Sequence, residues 1–423
     1  MKKDKIKVAI FIDGEFIPSN SGAANRFHYM SRNLALHQDI EPIIFLGDRG
    51  WSDIKLIKNE PFKTYIFNDE DFYQSMDRII KILKKEGIQI IQFDSIEQVL
   101  SQGAHIKQQL GVPVILEAHY DFLSFMQNSK LPKNVVIAKK RDIERSKKVI
   151  DGLICLSKDE KSRFKKYYKF NTNQICTIPS GVELSEIKDD SINYNSKQCI
   201  FLGNLYFRPN EIALDYIHKF IYKKLKDKGY SVLVAGDTPL KIKNKYTDSN
   251  FNFLGEIDDL NMLFRNSLCA LAPIFHGAGM RIKLLNYIGA KLPVLITKEG
   301  AEGFPAKKLL KIIDTNKFID TIEKIQSDKK RWIKNTSKLY DYVSQNLSWI
   351  SLSSRTAQFY RDTIINSLVR KTKYITVKPS GYLVPGWLYE VKKKGRFKGK
   401  KPTVKKGEVL YTGKGCKIIR LKL

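Results

Sequence analysis

The sequence predicts an α/β protein of two doubly wound domains that face each other across a cleft, followed by a small basic β-rich module. Short apolar runs alternate with stretches of helical spacing through residues 1–185, and the same alternation restarts at residue 198. Such alternation is typical of parallel sheets covered by helices on both faces. With 423 residues, the chain is long enough for two or three domains.

The first predicted domain, residues 1–185, opens with the apolar run IKVAIFI and a loop rich in Gly, Pro, Ser and Asn. Further apolar runs, each bounded by turn residues, predict the rest of its sheet. The predicted strands are residues 6–12, 42–46, 88–93, 113–117, 150–156 and 175–179. The predicted helices are residues 23–36, 71–85, 95–110 and 158–168.

A polar linker, residues 185–197, separates this half from the second predicted domain, residues 198–346. Its predicted strands are residues 199–202, 231–235, 251–254, 268–272 and 293–296. Its predicted helices are residues 212–226, 258–266, 281–290, 316–324 and 329–346. We expect residues 347–370 to form a closing helix that returns to the first domain.

The charge of +30 is concentrated at the end of the chain. Residues 369–423 hold 17 lysines and arginines but two acidic residues, which is half of the net charge. Short β-prone runs and aromatic residues alternate there with Gly and Pro turns, so residues 371–423 are predicted as a basic β-rich module or a partly disordered basic arm. Such a segment suits a polyanionic partner, either an anionic membrane or nucleic acid. The alternative is a solvated tail that aids solubility.

Composition sets further limits. No run of 18 apolar residues predicts a membrane-spanning helix, and the first residues lack the small-residue cleavage site of a signal peptide. Five widely spaced cysteines favour reduced thiols over a disulfide framework or a metal site. These features predict a cytoplasmic protein, with peripheral attachment to the inner membrane face through the basic segment. Oligomeric state is left open.

The most informative stretch is residues 272–303, a strand end, a Gly-rich loop, a helix, a second strand and a second Gly-rich turn. Gly277 and Gly279, on either side of Ala278, permit close approach of a ligand to the backbone. Arg281 and Lys283 add positive charge where the helix begins. The loop therefore suits the diphosphate of a nucleotide or nucleotide sugar.

This segment resembles the donor-binding signature of the family 4 (GT-B) glycosyltransferases, and three other stretches match that family in order. They are Phe201-Leu202-Gly203 with Pro209-Asn210, Ile178-Pro179-Ser180-Gly181-Val182-Glu183 at the hinge, and Ser348-Trp349 before the closing helix. The resemblance covers roughly residues 6–365. It implies two Rossmann-like domains, the second of which binds the donor, and a retaining transfer that needs neither a metal nor a separate general base.

The resemblance also implies site residues. Arg281 and Lys283 would neutralise the leaving diphosphate, and His119, just past a strand end, would contact the sugar or the acceptor. Candidate donor-binding positions are Gly22, Gly203, Asn204, Arg208, His276, Gly277, Ala278, Gly279, Asn286, Glu299 and Glu302. Asp121 is placed to orient the histidine, and Asp13 and Glu15 are candidate acceptor-side carboxylates.

Three positions depart from the family pattern. Asn286 stands where a Glu often holds the ribose, His276 where a Glu faces the donor sugar, and Lys291 where Gly is usual before Pro293. The departures at Asn286 and His276 bear on the identity of the donor.

The leading prediction is a glycosyltransferase that moves a sugar from a nucleotide diphosphate-sugar, its donor substrate, to a hydroxyl of a cell-envelope or lipid-linked glycan. A second hypothesis is a glycosyltransferase that acts on a modified base in DNA, with the basic module on the phosphate backbone. The third is a non-catalytic binding protein on the same scaffold. No resident cofactor is expected.

Overall fold

The structure of the protein, a computed structural model, describes most of the chain. Described in full are residues 5–18, 21–119, 132–185, 187, 192–246, 251–257, 259–275 and 280–368, while Glu186 and residues 369–371 are described by their backbone. Beyond them, four short strands are described by their backbone.

A parallel sheet of seven strands organises the first half of the chain. Its spatial order is β3-β2-β1-β4-β5-β6-β7, so the chain leaves β1 in one direction and continues from β4 in the other. The strands are β1 Ile6–Asp13, β2 Ile40–Asp48, β3 Lys63–Asn68, β4 Ile90–Phe93, β5 Val114–Ala118, β6 Gly152–Cys155 and β7 Ile175–Thr177. The interior strands are buried on both faces, which explains their nearly continuous apolar sequences.

Helices cover both faces of this sheet. They are α1 Gly22–Ala35, α2 Ile54–Lys58, α3 Asp69–Gln74, α4 Met76–Glu86, α5 Ile96–Gln98, α6 Ala104–Leu110, α7 Lys133–Ser146 and α8 Lys158–Tyr168; a π-helical turn joins α5 to α6. The Ser21 hydroxyl caps α1 by accepting a hydrogen bond from the Ala24 N–H at 3.2 Å. The cap fixes the helix N-terminus at the carboxyl end of β1, on the edge of the sheet that faces the cleft.

The second half repeats the design with five parallel strands in the order β10-β9-β8-β11-β12. They are β8 Gln198–Leu202, β9 Ser231–Ala235, β10 Phe251–Gly255, β11 Cys269–Ala272 and β12 Val294–Ile296. Its helices are α9 Arg208–Tyr216, α10 Lys223–Asp227, α11 Leu240–Asn244, α12 Asn261–Arg265, α13 Ile282–Gly289, α14 Phe318–Ser327 and α15 Lys329–Asn346. These two sheets confirm the predicted fold class of two doubly wound α/β domains.

Two chain crossings connect the halves. The two crossings, at Val182 and at residues 347–349, are hydrogen-bonded to each other. The Val182 N–H donates to the Leu347 carbonyl at 3.0 Å, and the Trp349 N–H donates to the Val182 carbonyl at 3.4 Å. The helix that follows, α16 Trp349–Lys371, packs its apolar residues into the core around β1, β4 and β5. Gly152 of β6 lets it approach closely, because a Cβ there would lie 3.0 Å from Phe359.

The last strands, β13 Ile375–Thr376, β14 Tyr389–Lys392, β15 Leu410–Thr412 and β16 Cys416–Ile419, pair antiparallel in the order β13-β14-β16-β15. Within the described residues, no helix has the length and apolarity needed to cross a membrane. The described cysteines, which exclude Cys416, are all free thiols.

Sequence reasoning missed three elements of the first half, α2, β3 and α7. Strand β3 is an edge strand whose residues are mostly exposed or half-buried, so it lacks the apolar run that marks the central strands. Helix α7 buries little of its surface, since only Ile143 and Ser146 are fully covered. Helix α2 has five residues, of which only Ile57 is buried. All three elements pack on one side only, which leaves a weak hydrophobic pattern in the sequence.

Lys291, where the family pattern has Gly, closes α13 in the left-handed backbone region with φ 55°. The Lys291 N–H donates to the Ile288 carbonyl and the Leu292 N–H to the Tyr287 carbonyl, both at 2.9 Å. This is a Schellman ending, in which Gly is preferred because other residues are strained there. The departure from the family pattern therefore retains the backbone geometry that Gly would adopt.

Tyr287 fastens α13 to the sheet, and its hydroxyl accepts a hydrogen bond from the Leu202 N–H at 2.8 Å. We expect Tyr287→Phe to lower the free energy of unfolding by about 1–3 kcal/mol, because a buried N–H would lose its acceptor. Chemical denaturation measures the change. Tyr206→Phe, at a 68% exposed residue, is the control and should have no effect. Equal stability of the two variants would contradict this role for the hydroxyl.

Candidate active site

Both sheets present the carboxyl ends of their strands to the space between the domains, and each has a point where strand order reverses. In the second domain this point lies between β8 and β11, and in the first between β1 and β4. Loops diverge at such a point and leave a crevice, the usual ligand site of open α/β sheets. The two domains meet near these crevices, since a Cβ on Gly22 would lie 3.1 Å from Ile282 at the start of α13.

Lys283 occupies the crevice of the second domain. Its Nζ donates to Asn210 Oδ1 at 2.8 Å and lies 4.9 Å from the centre of the Phe201 ring. A Cβ on Gly203 would come within 2.9 Å of this Nζ, so the absence of a side chain at Gly203 makes room for the ammonium group. Burial, together with the nearby positive charge of Arg281, lowers the pKa of Lys283 to about 7.

Arg281 precedes the first turn of α13 as its N-cap residue. Burial lowers the pKa of its guanidinium, while the carboxylate of Glu302 opposes that shift. Glu302 is half-buried and Glu299 is exposed, and the Glu302 N–H donates to the Glu299 carbonyl at 3.2 Å. The structure thus brings Arg281, Lys283 and Glu302 together at the carboxyl ends of β11 and β12, with Glu299 at the rim.

Asn204 and Arg208 form local contacts. The Asn204 side-chain oxygen accepts from the Tyr206 N–H at 2.9 Å, and its carbonyl accepts from Asn210 Nδ2 at 2.8 Å, so Asn204 shapes the turn after β8. The exposed Arg208 pairs with Glu211 one turn further along α9. The roles of Asn204 and Arg208 in donor binding therefore stay predictions. His276, Gly277, Ala278 and Gly279 lie outside the described residues.

Asn286, one turn beyond Lys283 on α13, lines a cavity of about 140 Å³ between the domains. The first domain contributes Asn25 and Tyr29 to this cavity, and the hinge contributes Gly181 and Glu183. Asn286 therefore lies deeper toward the hinge than the crevice occupied by Lys283.

On the facing side, His119 follows β5 and stacks against Phe27 with ring centroids 5.1 Å apart. Its Nε2 lies 3.4 Å from Glu117 Oε1, and the imidazole is 17% exposed. The described partner of His119 is thus Glu117, while Asp121 lies outside the described residues. Gly22, at the N-terminus of α1, faces Ile282 at the start of α13, and its role in donor binding stays a prediction.

Sequence reasoning missed a buried polar network around Glu117. Its carboxylate accepts hydrogen bonds from Arg26 Nε and, at 2.6 Å, from Gln92 Nε2. Arg26 and Glu117 are 1% and 2% exposed. The available signal was a charged residue inside each of two apolar elements, because buried charges occur mainly in pairs.

A second polar group lies beside this network at the ends of β1, β2 and β4; sequence reasoning named its Asp13 but missed Arg49, Tyr73 and Asp94. Asp13 accepts hydrogen bonds from Arg49 at 3.0 Å and from the Tyr73 hydroxyl at 2.6 Å, and Arg49 lies over the exposed Trp51 ring. Burial raises the pKa of Asp94 to about 7; His119 opposes the shift, and the charges of Asp13 and Glu117 add to it. Two carboxyl groups and an indole therefore line the first-domain side of the cleft. Among the described residues, no cluster of His, Cys, Asp and Glu is arranged to hold a metal ion.

Two family models match this chain. The model Glycosyltransferase Family 4 matches residues 20–186, and the model Glycosyl transferases group 1 matches residues 196–328. The chain is a family 4-like glycosyltransferase with the GT-B fold. The family models meet at residues 186–196, the linker between the two sheets, so each model covers one crevice.

Solved structures of GT-B enzymes share the fold. A glycosyltransferase from Rickettsia africae has a TM-score of 0.68 at 14% identity, with 85% of this chain and 99% of that chain covered. Sucrose-phosphate synthase from Thermosynechococcus elongatus has a TM-score of 0.65 at 14% identity, with 85% and 100% covered. Anabaena HepE in complex with UDP-glucose has a TM-score of 0.62 at 11% identity, with 84% and 98% covered. No curated protein matches the sequence.

Proposed function

We propose that this glycosyltransferase transfers a hexose from a nucleoside diphosphate-sugar to a hydroxyl of a glycan acceptor, with retention of the anomeric configuration. The observation that carries the proposal is the Lys283 ammonium held by Asn210 beside Gly203, with Arg281 next to it, at the switch point of the second sheet. HepE, a structural relative, is described with UDP-glucose bound, which supports this class of donor.

Breaking the bond between the sugar and the diphosphate leaves negative charge on the departing oxygen. Fixed positive groups lower the barrier because they need little reorganisation as that charge develops. Arg281 and Lys283 supply two such groups, so the reaction as proposed requires no metal ion. His119 would contact the transferred sugar or the incoming hydroxyl from the opposite face of the cleft.

A glycan acceptor agrees with the chemistry of the first-domain side. Carboxylates accept hydrogen bonds from hydroxyl groups and repel phosphates, and Arg49 is already paired with Asp13 and Asp69. Trp51, with 59% of its surface exposed, offers an aromatic face for a sugar ring. A phosphate-rich acceptor would find Arg49 already paired with Asp13 and Asp69, which favours a neutral sugar at the point of transfer.

Nucleic acid is the second candidate acceptor, and the observation that favours it is the basic terminal segment. Attachment of this segment to an anionic membrane is the corresponding proposal for a membrane-bound glycan. A version of the chain that ends at Arg370 separates them when both proteins are titrated with duplex DNA, single-stranded DNA and anionic vesicles across a salt series. DNA binding that depends steeply on salt and is lost on truncation would favour nucleic acid as the acceptor. Vesicle binding without comparable DNA binding would favour attachment to a membrane.

Transfer activity is tested directly by incubating the full chain with UDP-, GDP- and ADP-sugars and following nucleotide release, with and without simple glycoside acceptors. Release that depends on Arg281 and Lys283, and that glycosides stimulate, would support the proposal. Anomeric NMR of the product decides between retention and inversion. If no nucleotide is released from any donor, the proposed enzymatic activity is overturned, and the hypothesis of a non-catalytic binding protein is favoured.

Donor affinity should fall as the pH rises above 7. Lys283 loses its proton in that range, and a bound diphosphate favours its charged form, so binding takes up a proton. We expect the dissociation constant of the nucleoside diphosphate to rise by at most about tenfold per pH unit between pH 7.5 and 9. Calorimetry in buffers of different ionisation enthalpy measures the uptake. The same pH dependence in Lys283→Met would contradict the assignment.

A further inference from the structure

The carboxylate of Glu117 joins groups from both chain crossings between the domains. Its Oε1 accepts from Arg26 Nε, and Arg26 Nη1 in turn donates to the Pro179 carbonyl at 2.7 Å, just before the first crossing. Its Oε2 accepts from Gln92 Nε2, and Gln92 Oε1 accepts from the Tyr360 hydroxyl at 2.7 Å. Tyr360 belongs to α16, which begins at the second crossing.

The same carboxylate faces the candidate site, because His119 Nε2 lies 3.4 Å from Glu117 Oε1. Burial alone would raise the pKa of Glu117, but the charges of Arg26 and His119 outweigh it and lower the pKa to about 2. Glu117 therefore remains ionised at neutral pH. A buried, charged network of this kind is held in discrete arrangements, because any half-made arrangement leaves a charge unpaired.

We infer that Glu117 is a positioning residue, which couples the orientation of His119 to the geometry of the two crossings and hence to closure of the domains. The inference rests on the proposed function of the cleft. Movement of the Pro179 carbonyl changes the hydrogen bond on Oε1 of Glu117 through Arg26, and movement of Tyr360 changes the one on Oε2 through Gln92. The imidazole of His119 follows the carboxylate. The histidine then reaches its working position only when the domains are correctly placed.

A stability role alone would not require charge here, because a buried ion pair is often replaced by apolar residues of similar volume without loss of stability. This gives the test. The double variant Arg26→Met/Glu117→Leu removes both charges of the ion pair. The single variant Glu117→Gln removes only the negative charge and leaves the Arg26 guanidinium without its ion-pair partner. Melting temperature, transfer kcat and donor KM are measured for each, with Tyr340→Phe, at a half-buried residue of α15, as the control.

We expect Glu117→Gln to lower both the melting temperature and kcat. The double variant should recover the melting temperature, yet keep a kcat at least tenfold below the unmodified enzyme with donor KM within about twofold. Recovery of kcat together with stability would overturn the inference and leave the network structural. No turnover by the unmodified enzyme would instead refute the proposed function, so the two failures are distinguishable.

Tyr360→Phe provides a second test that does not depend on folding of the double variant. The imidazole signal of His119, assigned by its loss in His119→Gln, is followed by NMR as UDP, GDP or ADP is added. We expect the shift of this signal on nucleotide binding to fall by at least half in Tyr360→Phe and to be unchanged in Tyr340→Phe. A full response in Tyr360→Phe would overturn the coupling.

Discussion

Lys283→Met is expected to reduce sugar transfer by about 10²- to 10³-fold, the loss typical when one preorganised group that stabilises developing negative charge is removed. The side chain is held by Asn210 and lies against Phe201, so its position is set before any ligand arrives. Nucleotide release from the best donor, measured as kcat and KM, gives the size of the effect.

Stability separates this effect from a folding defect. Lys283 is half-buried in a site that disfavours its charge, as the lowered pKa shows, so methionine should leave the melting temperature unchanged or raised. Lys334→Met, at an exposed position on α15, is the matched control and should retain full activity. A Lys283→Met enzyme with transfer within threefold of the unmodified enzyme would rule out the proposed role of this ammonium group.

Gly181→Ala is expected to lower the free energy of unfolding by about 1–3 kcal/mol, the usual cost of forcing an extra methyl into a packed core. A Cβ at this position would lie 2.7 Å from Trp349 Cδ2 and 2.9 Å from Leu352 Cδ1. Trp349 is 1% exposed and stacks on Tyr29, so it has little room to move. Because Gly181 lies at the chain crossing, transfer should fall as well.

The background Trp349→Leu is the control for Gly181→Ala. Trp349→Leu itself destabilises the protein by opening a cavity, but the added methyl then meets fewer atoms. We expect the cost of Gly181→Ala to shrink by at least about 1 kcal/mol in that background, as for directly contacting residues. Denaturant unfolding of the four proteins measures this coupling. Equal cost in both backgrounds would exclude the steric explanation.

Local patterns in the sequence predicted most of the fold. In the second-domain crevice they predicted Arg281 and Lys283, but not that Asn210 holds Lys283. Apolar runs buried on both faces, such as β1 and β11, were recognisable because they carry little but large apolar residues. Glycines followed by cations before an apolar helix indicated Arg281 and Lys283. Helix α7 and strand β3 were not predicted, because elements that are covered on one side only leave a weaker hydrophobic pattern in the sequence.

Partners distant in the chain were not predictable in this way. Asn210, which holds Lys283, is 73 positions away from it, and Arg26 is 91 positions from Glu117. Periodicity identifies the face of an element that is buried, but the order of strands in the sheet decides which buried residues meet.

The sequence by itself therefore determined that this chain forms two doubly wound domains with a cationic crevice in the second. Only the tertiary structure decided that Asn210 orients the lysine, that Glu117 lies beside His119, and that both chain crossings converge on Glu117. The physical reason is that hydrophobic patterning is encoded locally, whereas a buried charge is stabilised by whichever residues the sheet order and the crossings bring within hydrogen-bonding distance.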